Sequence, residues 1–180
     1  MKPLTIGLLP LYIELYDKIA ATSRPRIDAF YRQIAAAFEA RGMTVKTAPV
    51  CRLKPEFATA IRGFEKAGVD AIVTLHLAYS PSLESSAALA ATSLPVIVLD
   101  TTPTYDFGPA QSPSEIMFNH GIHGVQDMCN LLLRNGKPFR IEAGHWQKSD
   151  VLARVRGLVR AARAATSQRR ARVGCIGAPF

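Results

Sequence analysis

Strand-like apolar runs alternate with helix-like amphipathic runs along the whole chain, and this alternation most narrows the folds open to it. Leu4–Leu9 reads as a first strand. Ser23 then offers an N-cap, and Ile27, Phe30, Tyr31, Ile34 and Phe38 recur at helical spacing until Gly42. Val45–Val50 reads as a second strand. Pro55 opens a helix with Phe57, Ala60, Ile61 and Phe64 on one face, closed by Gly68. Ala71–Leu77 is a third strand, and Ser80-Pro81 starts a short alanine-rich helix. Pro95–Leu99 is a fourth, and its Val-Ile-Val-Leu run has no polar alternation. Continuous apolar strands of that kind belong to a parallel sheet covered by helices on both faces.

Further on, Pro103, Gly108 and Pro109 make Thr101–Gln111 a loop. Ser112-Pro113-Ser114-Glu115 has the form of a capping box with proline at the first helical position. Asn119–Gly124 interrupts the helical pattern with two glycines, and Val125, Met128, Cys129, Leu132 and Leu133 resume it. Phe139–Ala143 is a fifth strand, followed by a helix whose buried stripe is Val151, Leu152, Val155, Leu158, Val159 and Ala162. Arg172–Ile176 reads as a sixth strand. The pattern predicts an α/β, doubly wound parallel sheet of five to six strands in three layers, flavodoxin- or Rossmann-like. By analogy, the strand order is expected to be 2-1-3-4-5.

The 180 residues and 48% apolar content suit one domain with a substantial core. No apolar run approaches the roughly 18–20 residues of a bilayer span. Cys51, Cys129 and Cys175 are odd in number and widely spaced, which points to reduced thiols and a cytoplasmic location. The net charge of +8 is concentrated: residues 148–172 hold eight bases against Asp150 alone. That stretch has no aromatic residue to stack bases, so no nucleic-acid partner is expected. Its basic face is read as solvated or as meeting another domain or subunit.

Ligands of open parallel sheets sit beyond the carboxyl ends of the strands. Leu11 and Tyr12 follow the first strand, His76 ends the third and leads to Tyr79, and Asp100 ends the fourth. Tyr105 and Asp106 come shortly after it, and His145 and Trp146 follow the fifth. His120 and His123 lie in the segment expected to return to the same edge. Two readings of the histidines stand side by side. A metal would use His120 and His123 with Asp100, Asp106 or His76, although Gly121 and Gly124 weaken the helix that would hold them. Alternatively, the histidines hydrogen-bond in a sugar-sized polar cleft. Cys175 in Gly-Cys-Ile-Gly has the look of a nucleophile on a strand-to-helix turn, yet no second cysteine matches it. No GxxxxGK[ST] or GxGxxG loop is present, and Pro10 removes a backbone donor where a phosphate cradle would need it.

The segment from Met117 to Asp127, MFNHGIHGVQD, resembles the N-x-x-x-H-G signature in the first domain of L-fucose and L-arabinose isomerases and their relatives. Leu75–Pro81 is similar to that family's strand-three exit, Pro95–Thr101 to its next strand, and Arg172–Phe180 to the strand that opens its second domain. The resemblance covers nearly the whole chain. It implies residues 1–170 as the N-terminal α/β domain of an aldose–ketose isomerase of carbohydrate metabolism, with 171–180 beginning a truncated second domain. It also implies a cytoplasmic homo-oligomer, a small sugar as partner, and manganese (Mn2+) bound by later domains. The family's metal ligands and catalytic carboxylates have no counterpart in this chain. No catalytic residue and no metal ligand is therefore assigned to it, and alone it is expected to be inactive.

The supporting role that carries over is substrate binding by Leu11, Tyr12, His76, Tyr79, His120 and His123. His120 stands where the arabinose enzymes have glutamine, and the loop at Pro10-Leu11-Tyr12 departs from theirs. The competing expectation is a stand-alone flavodoxin-like module that binds a small ligand without catalysis.

Overall fold

A computed structural model of the chain describes residues 2–172, 174, 176 and 177. Five parallel strands, β1 Leu4–Leu11, β2 Met43–Thr47, β3 Ala71–His76, β4 Val96–Asp100 and β5 Phe139–Ala143, hydrogen-bond in the order β2-β1-β3-β4-β5. This is the expected 2-1-3-4-5 arrangement of a doubly wound three-layer sheet. Helices α2 (Arg24–Glu39) and α6 (Val151–Arg170) cover one face. Helices α3 (Lys54–Ala67), α4 (Ser82–Ala91) and α5 (Gly121–Arg134) cover the other.

Each strand divides its side chains between the two layers because successive residues point to opposite faces. Ile6, Leu8, Val73, Leu75, Ile97 and Leu99 join the α2–α6 core. Leu9, Leu11, Ile72, Val96 and Val98 join the other. Fully burying side chains of this size stabilises the fold by about 1.5–3 kcal/mol each. The two cores explain why β3 and β4 show no polar alternation.

Several boundaries differ from the sequence expectation. The first strand runs through Pro10 to Leu11. Its ladder with β2 ends at Leu8 and Thr47, and beyond that only a single bridge joins Leu11 to Cys51. Pro10 thus lacks its N–H where the neighbouring strand has already peeled away, and its carbonyl still accepts from Cys51 N at 3.0 Å. The second strand lies earlier than expected, at Met43–Thr47, because it is an edge strand whose side chains are mostly solvated. A short helix α1 (Glu14–Ile19) occupies a stretch to which the sequence pattern assigns no element. The capping box forms by half. Ser112 accepts from Ser114 N and opens a 3-10 turn at Pro113–Phe118, while the Glu115 carboxylate reaches Arg26 at 2.5 and 2.6 Å. No element interrupts the loop between β4 and that turn. The sixth strand expected at 172–176, the Cys175 turn and the opening of a second domain at 171–180 fall on positions of which 173, 175 and 178–180 lie outside the described residues.

Gly7, the glycine of the first strand, serves packing rather than a phosphate. A Cβ there would lie 2.4 Å from the Phe64 ring, so α3 seats its aromatic directly on the β1 backbone. Among the described residues no helix is long and apolar enough to cross a membrane.

Candidate functional site at the carboxyl edge of the sheet

The expected break at Asn119–Gly124 shortens to Asn119 and His120. Helix α5 starts at Gly121, with His120 in the N-cap position and His123 within the first turn. Two glycines cost such a helix about 1 kcal/mol each relative to alanine. Here they permit a close approach that offsets this cost. A Cβ on Gly121 would lie 3.0 Å from the Cβ and carbonyl of His76, and one on Gly124 would lie 2.8 Å from His76 Cδ2 and 3.1 Å from the Ser80 backbone. Only glycine lets the first turn of α5 rest on the end of β3.

That contact decides the place of His76. Its imidazole is 4% exposed, and neither ring nitrogen has a hydrogen-bond partner in the protein. Burial pushes its pKa down to about 3, and the nearby Gly124 backbone works weakly the other way without reaching hydrogen-bond geometry. The ring is therefore neutral at physiological pH. Thr74 Oγ1 and Ser80 Oγ, near it in sequence, are buried and unpartnered too. Leu11 is fully buried in the α3–α4–α5 core, and Tyr12 is 1% exposed in the other. Leu11, Tyr12 and His76, expected to line a ligand, are thus buried side chains of this edge, and other groups of the edge reach the surface.

Those groups form a continuous aromatic rim. His120 and His123 meet edge to face with ring centroids 4.7 Å apart, because the helical turn brings residues three apart onto one side. Tyr79 lies 5.9 Å from His120 at a tilt of 34°. Its hydroxyl donates to Asp127 Oδ2 at 3.4 Å, one turn beyond His123 on α5. Tyr16 on α1 stacks edge-on with Tyr12 at 6.0 Å. Burial raises the Tyr79 pKa first, then the Asp127 charge, with Tyr16 close enough to add to the effect. Burial also lowers the His120 pKa, and the neighbouring His123 lowers it further. The rim is thus a row of hydrogen-bonding groups flanked by ring faces, with the Asp127 carboxylate at the Tyr79 end.

An ionic web anchors the rim on its β1 side. Arg24 binds both oxygens of Asp17 at 2.9 Å and Asp28 at 3.0 Å. Arg52 bridges Asp17 at 2.8 Å and Glu56 at 2.7 Å. Burial alone would raise the Asp17 pKa, but the Arg52 and Arg24 guanidiniums outweigh it and hold the carboxyl down. The web ties α1 to α2 and α3, and Arg24 lies 5.6 Å over the Tyr12 ring.

Sequence reasoning assigned no role to Tyr16 or Asp127. Both stand four residues after an aromatic or imidazole of this edge, Tyr12 and His123, and that spacing was the available signal. Asp100, considered only as a metal partner, ends β4 half-buried, and burial raises its pKa. Among the described residues no three of His, Cys, Asp and Glu come together to hold a metal ion. Cysteine chemistry has no support there either. Burial pushes the Cys51 thiol up to about 12 and Cys129 up to about 11, opposite to the activation a nucleophile needs. Neither a family model nor a curated protein matches the chain.

Proposed function

We propose that this chain is the substrate-lining N-terminal domain of an aldose–ketose isomerase of the L-fucose/L-arabinose isomerase-like kind. The observation that carries the reading is the rim itself. Tyr79, His120 and His123 stand ring to ring over the carboxyl end of β3, within reach of solvent. An imidazole and a phenol can each donate and accept hydrogen bonds, which suits the hydroxyls of a small sugar. Their ring faces suit its C–H surfaces. In this reading Tyr12, Leu11 and His76 act as the platform below.

The described residues do not fit the manganese that such an isomerase uses, so no step of this proposal runs through a metal on this chain. The metal and the proton-transferring carboxylates belong to other domains of a longer polypeptide, and a neighbouring subunit completes the site. The chain's part is to bind and orient the sugar and to exclude water from its far end.

The test is a manganese-supplemented aldose panel on the polypeptide extended by the reading frame beyond codon 180. Ketose formation from one aldose is expected, with His123→Ala raising KM or lowering kcat while bound metal stays constant. Loss of metal in that variant would place His123 among the metal ligands and end this division of labour. A stop at that codon, with ligand binding and no turnover, would favour the stand-alone binding module.

A further inference from the structure

A second cluster of rings sits at the same edge over β4 and β5, away from the rim. Trp146 packs its ring against Phe30 at 6.3 Å and the α2–α6 core, and its backbone N–H donates to Thr101 Oγ1 at 3.0 Å. His145 lies 6.2 Å from the indole at a tilt of 35°. Gln147 N donates to His145 Nδ1 at 3.2 Å, which makes that nitrogen an acceptor and puts the proton of the neutral ring on Nε2. His145 Nε2 and Trp146 Nε1 are both out of reach of solvent and without a hydrogen-bond partner in the protein. Two adjacent residues thus each keep an N–H donor desolvated and unused, a costly arrangement.

The neighbouring ring is Tyr105, edge-on to the imidazole at 5.2 Å. It belongs to the loop after β4, and the loop is pinned on either side of it. Thr104 is held by Asn119 at 3.1 and 3.2 Å, and Gly108 and Gln111 bond each other. Between these pins Tyr105 is 60% and Phe107 58% exposed, so two aromatic rings sit in water on a short tip. Moving that tip breaks no hydrogen bond of its own.

We infer that the His145–Trp146 pair is a binding subsite for a small carboxylate on a flat body, which enters by displacing the Tyr105 ring. Two unpartnered N–H donors match an acceptor-only group, and a carboxylate is acceptor-only. A flat ring replaces the edge contact that Tyr105 gives up. The subsite is independent of the sugar reading, because none of its residues belongs to the rim.

The chain's single tryptophan makes the test direct, since one indole N–H resonance reports on the site. Benzoate titrated into the 15N-labelled chain should move that resonance downfield and saturate, and benzyl alcohol should bind at least about tenfold more weakly. His145→Phe keeps a ring and removes the donor, so benzoate affinity should fall at least about tenfold. Tyr105→Ala removes the ring to be displaced, so affinity should rise about two- to tenfold. An indole resonance that ignores benzoate overturns the inference, as does an equal response to benzyl alcohol or unchanged affinity in His145→Phe. Should His145→Phe give a poorly dispersed spectrum, the exposed Tyr105→Ala variant decides, and unchanged affinity there overturns it.

Discussion

The two edges of the sheet are built on opposite principles. At the amino edge, polar groups are used up. Arg163 on α6 spans Asp70, the Lys2 carbonyl and the Pro3 carbonyl, and the other Asp70 contact is Thr5 N at 2.6 Å. Nearby, Lys137 reaches the Thr92 and Leu94 carbonyls, and Thr92 binds Glu65 at 2.6 Å. At the carboxyl edge, polar groups are left over. Arg52 Nε, Thr74 Oγ1, both nitrogens of His76, Ser80 Oγ, His120 Nδ1, His145 Nε2 and Trp146 Nε1 are all buried without a partner, and all belong to that half of the molecule. Unpartnered buried polar atoms are uncommon because each costs about 1–3 kcal/mol. All of those named lie toward the carboxyl ends of the strands, so among the described residues that edge is the one with spare buried polar atoms.

The sharpest way to break this contrast is acid, through His76. Its pKa is depressed from 6.5 in the unfolded chain to about 3 in the folded one. A depressed pKa means that the unfolded state takes up the proton first. The stability is therefore whole above about pH 6.5 and is lost as the pH falls toward 3. The loss should reach the order of 4 kcal/mol at the acid end. His76→Gln cannot take up that proton, so denaturant unfolding followed against pH should fall less steeply for the variant than for the wild type. Parallel curves would mean that His76 finds a proton acceptor, and the carboxyl edge would then be less deprived than its geometry indicates.

At the amino edge the corresponding cut is Arg163→Ala. It leaves the Asp70 carboxylate and two backbone carbonyls without their shared donor. The pair is partly solvated, with side-chain exposures of 29% and 15%, so solvent screening reduces the cost to about 1–3 kcal/mol. Thermal unfolding would register this as a lower Tm, with rim and subsite chemistry untouched. A Tm within error of the wild type would show that the clasp is ornamental and that the amino edge is held by packing alone.

How much of this could be read from the chain depended on which force wrote each feature. Burial on both faces wrote β3 and β4, so their apolar runs fixed them to within a residue. The two edge strands behaved differently: β5 matched at Phe139–Ala143 although none of its residues is buried, whereas β2, with one buried residue in five, lies earlier than its expected position. Helix α1 has no buried residue, hence no apolar period, and is held by Asp17 through partners distant in sequence. Gly121 and Gly124 looked like breakers because local propensity cannot reveal that a buried imidazole waits beneath them. Strand order came by analogy, since nothing local encodes it. The histidines and tyrosines at strand ends were legible as a group. Which of them face solvent was not, because exposure at a strand end depends on the helix that comes back over it.

The contrast also predicts a change of sign. Asp100 ends β4 half-buried, with no hydrogen bond or ion pair to its carboxylate among the described residues, and burial raises its pKa. A raised carboxyl pKa means that the charged form is penalised in the folded state. Its contribution is favourable at low pH and is lost as the pH rises through the folded value. Asp100→Asn removes the charge and keeps the shape, so near neutral pH it should stabilise the protein slightly, by up to about 1 kcal/mol after allowance for its solvated half. The equivalent change at the amino edge, Asp70→Asn, removes a carboxylate that Arg163 and Thr5 N both use, and should destabilise. Opposite signs for the same chemical substitution, measured side by side in denaturant, are what this difference between the two edges requires. Destabilisation by both would show that Asp100 has a partner, and the division between the edges would have to be redrawn around it.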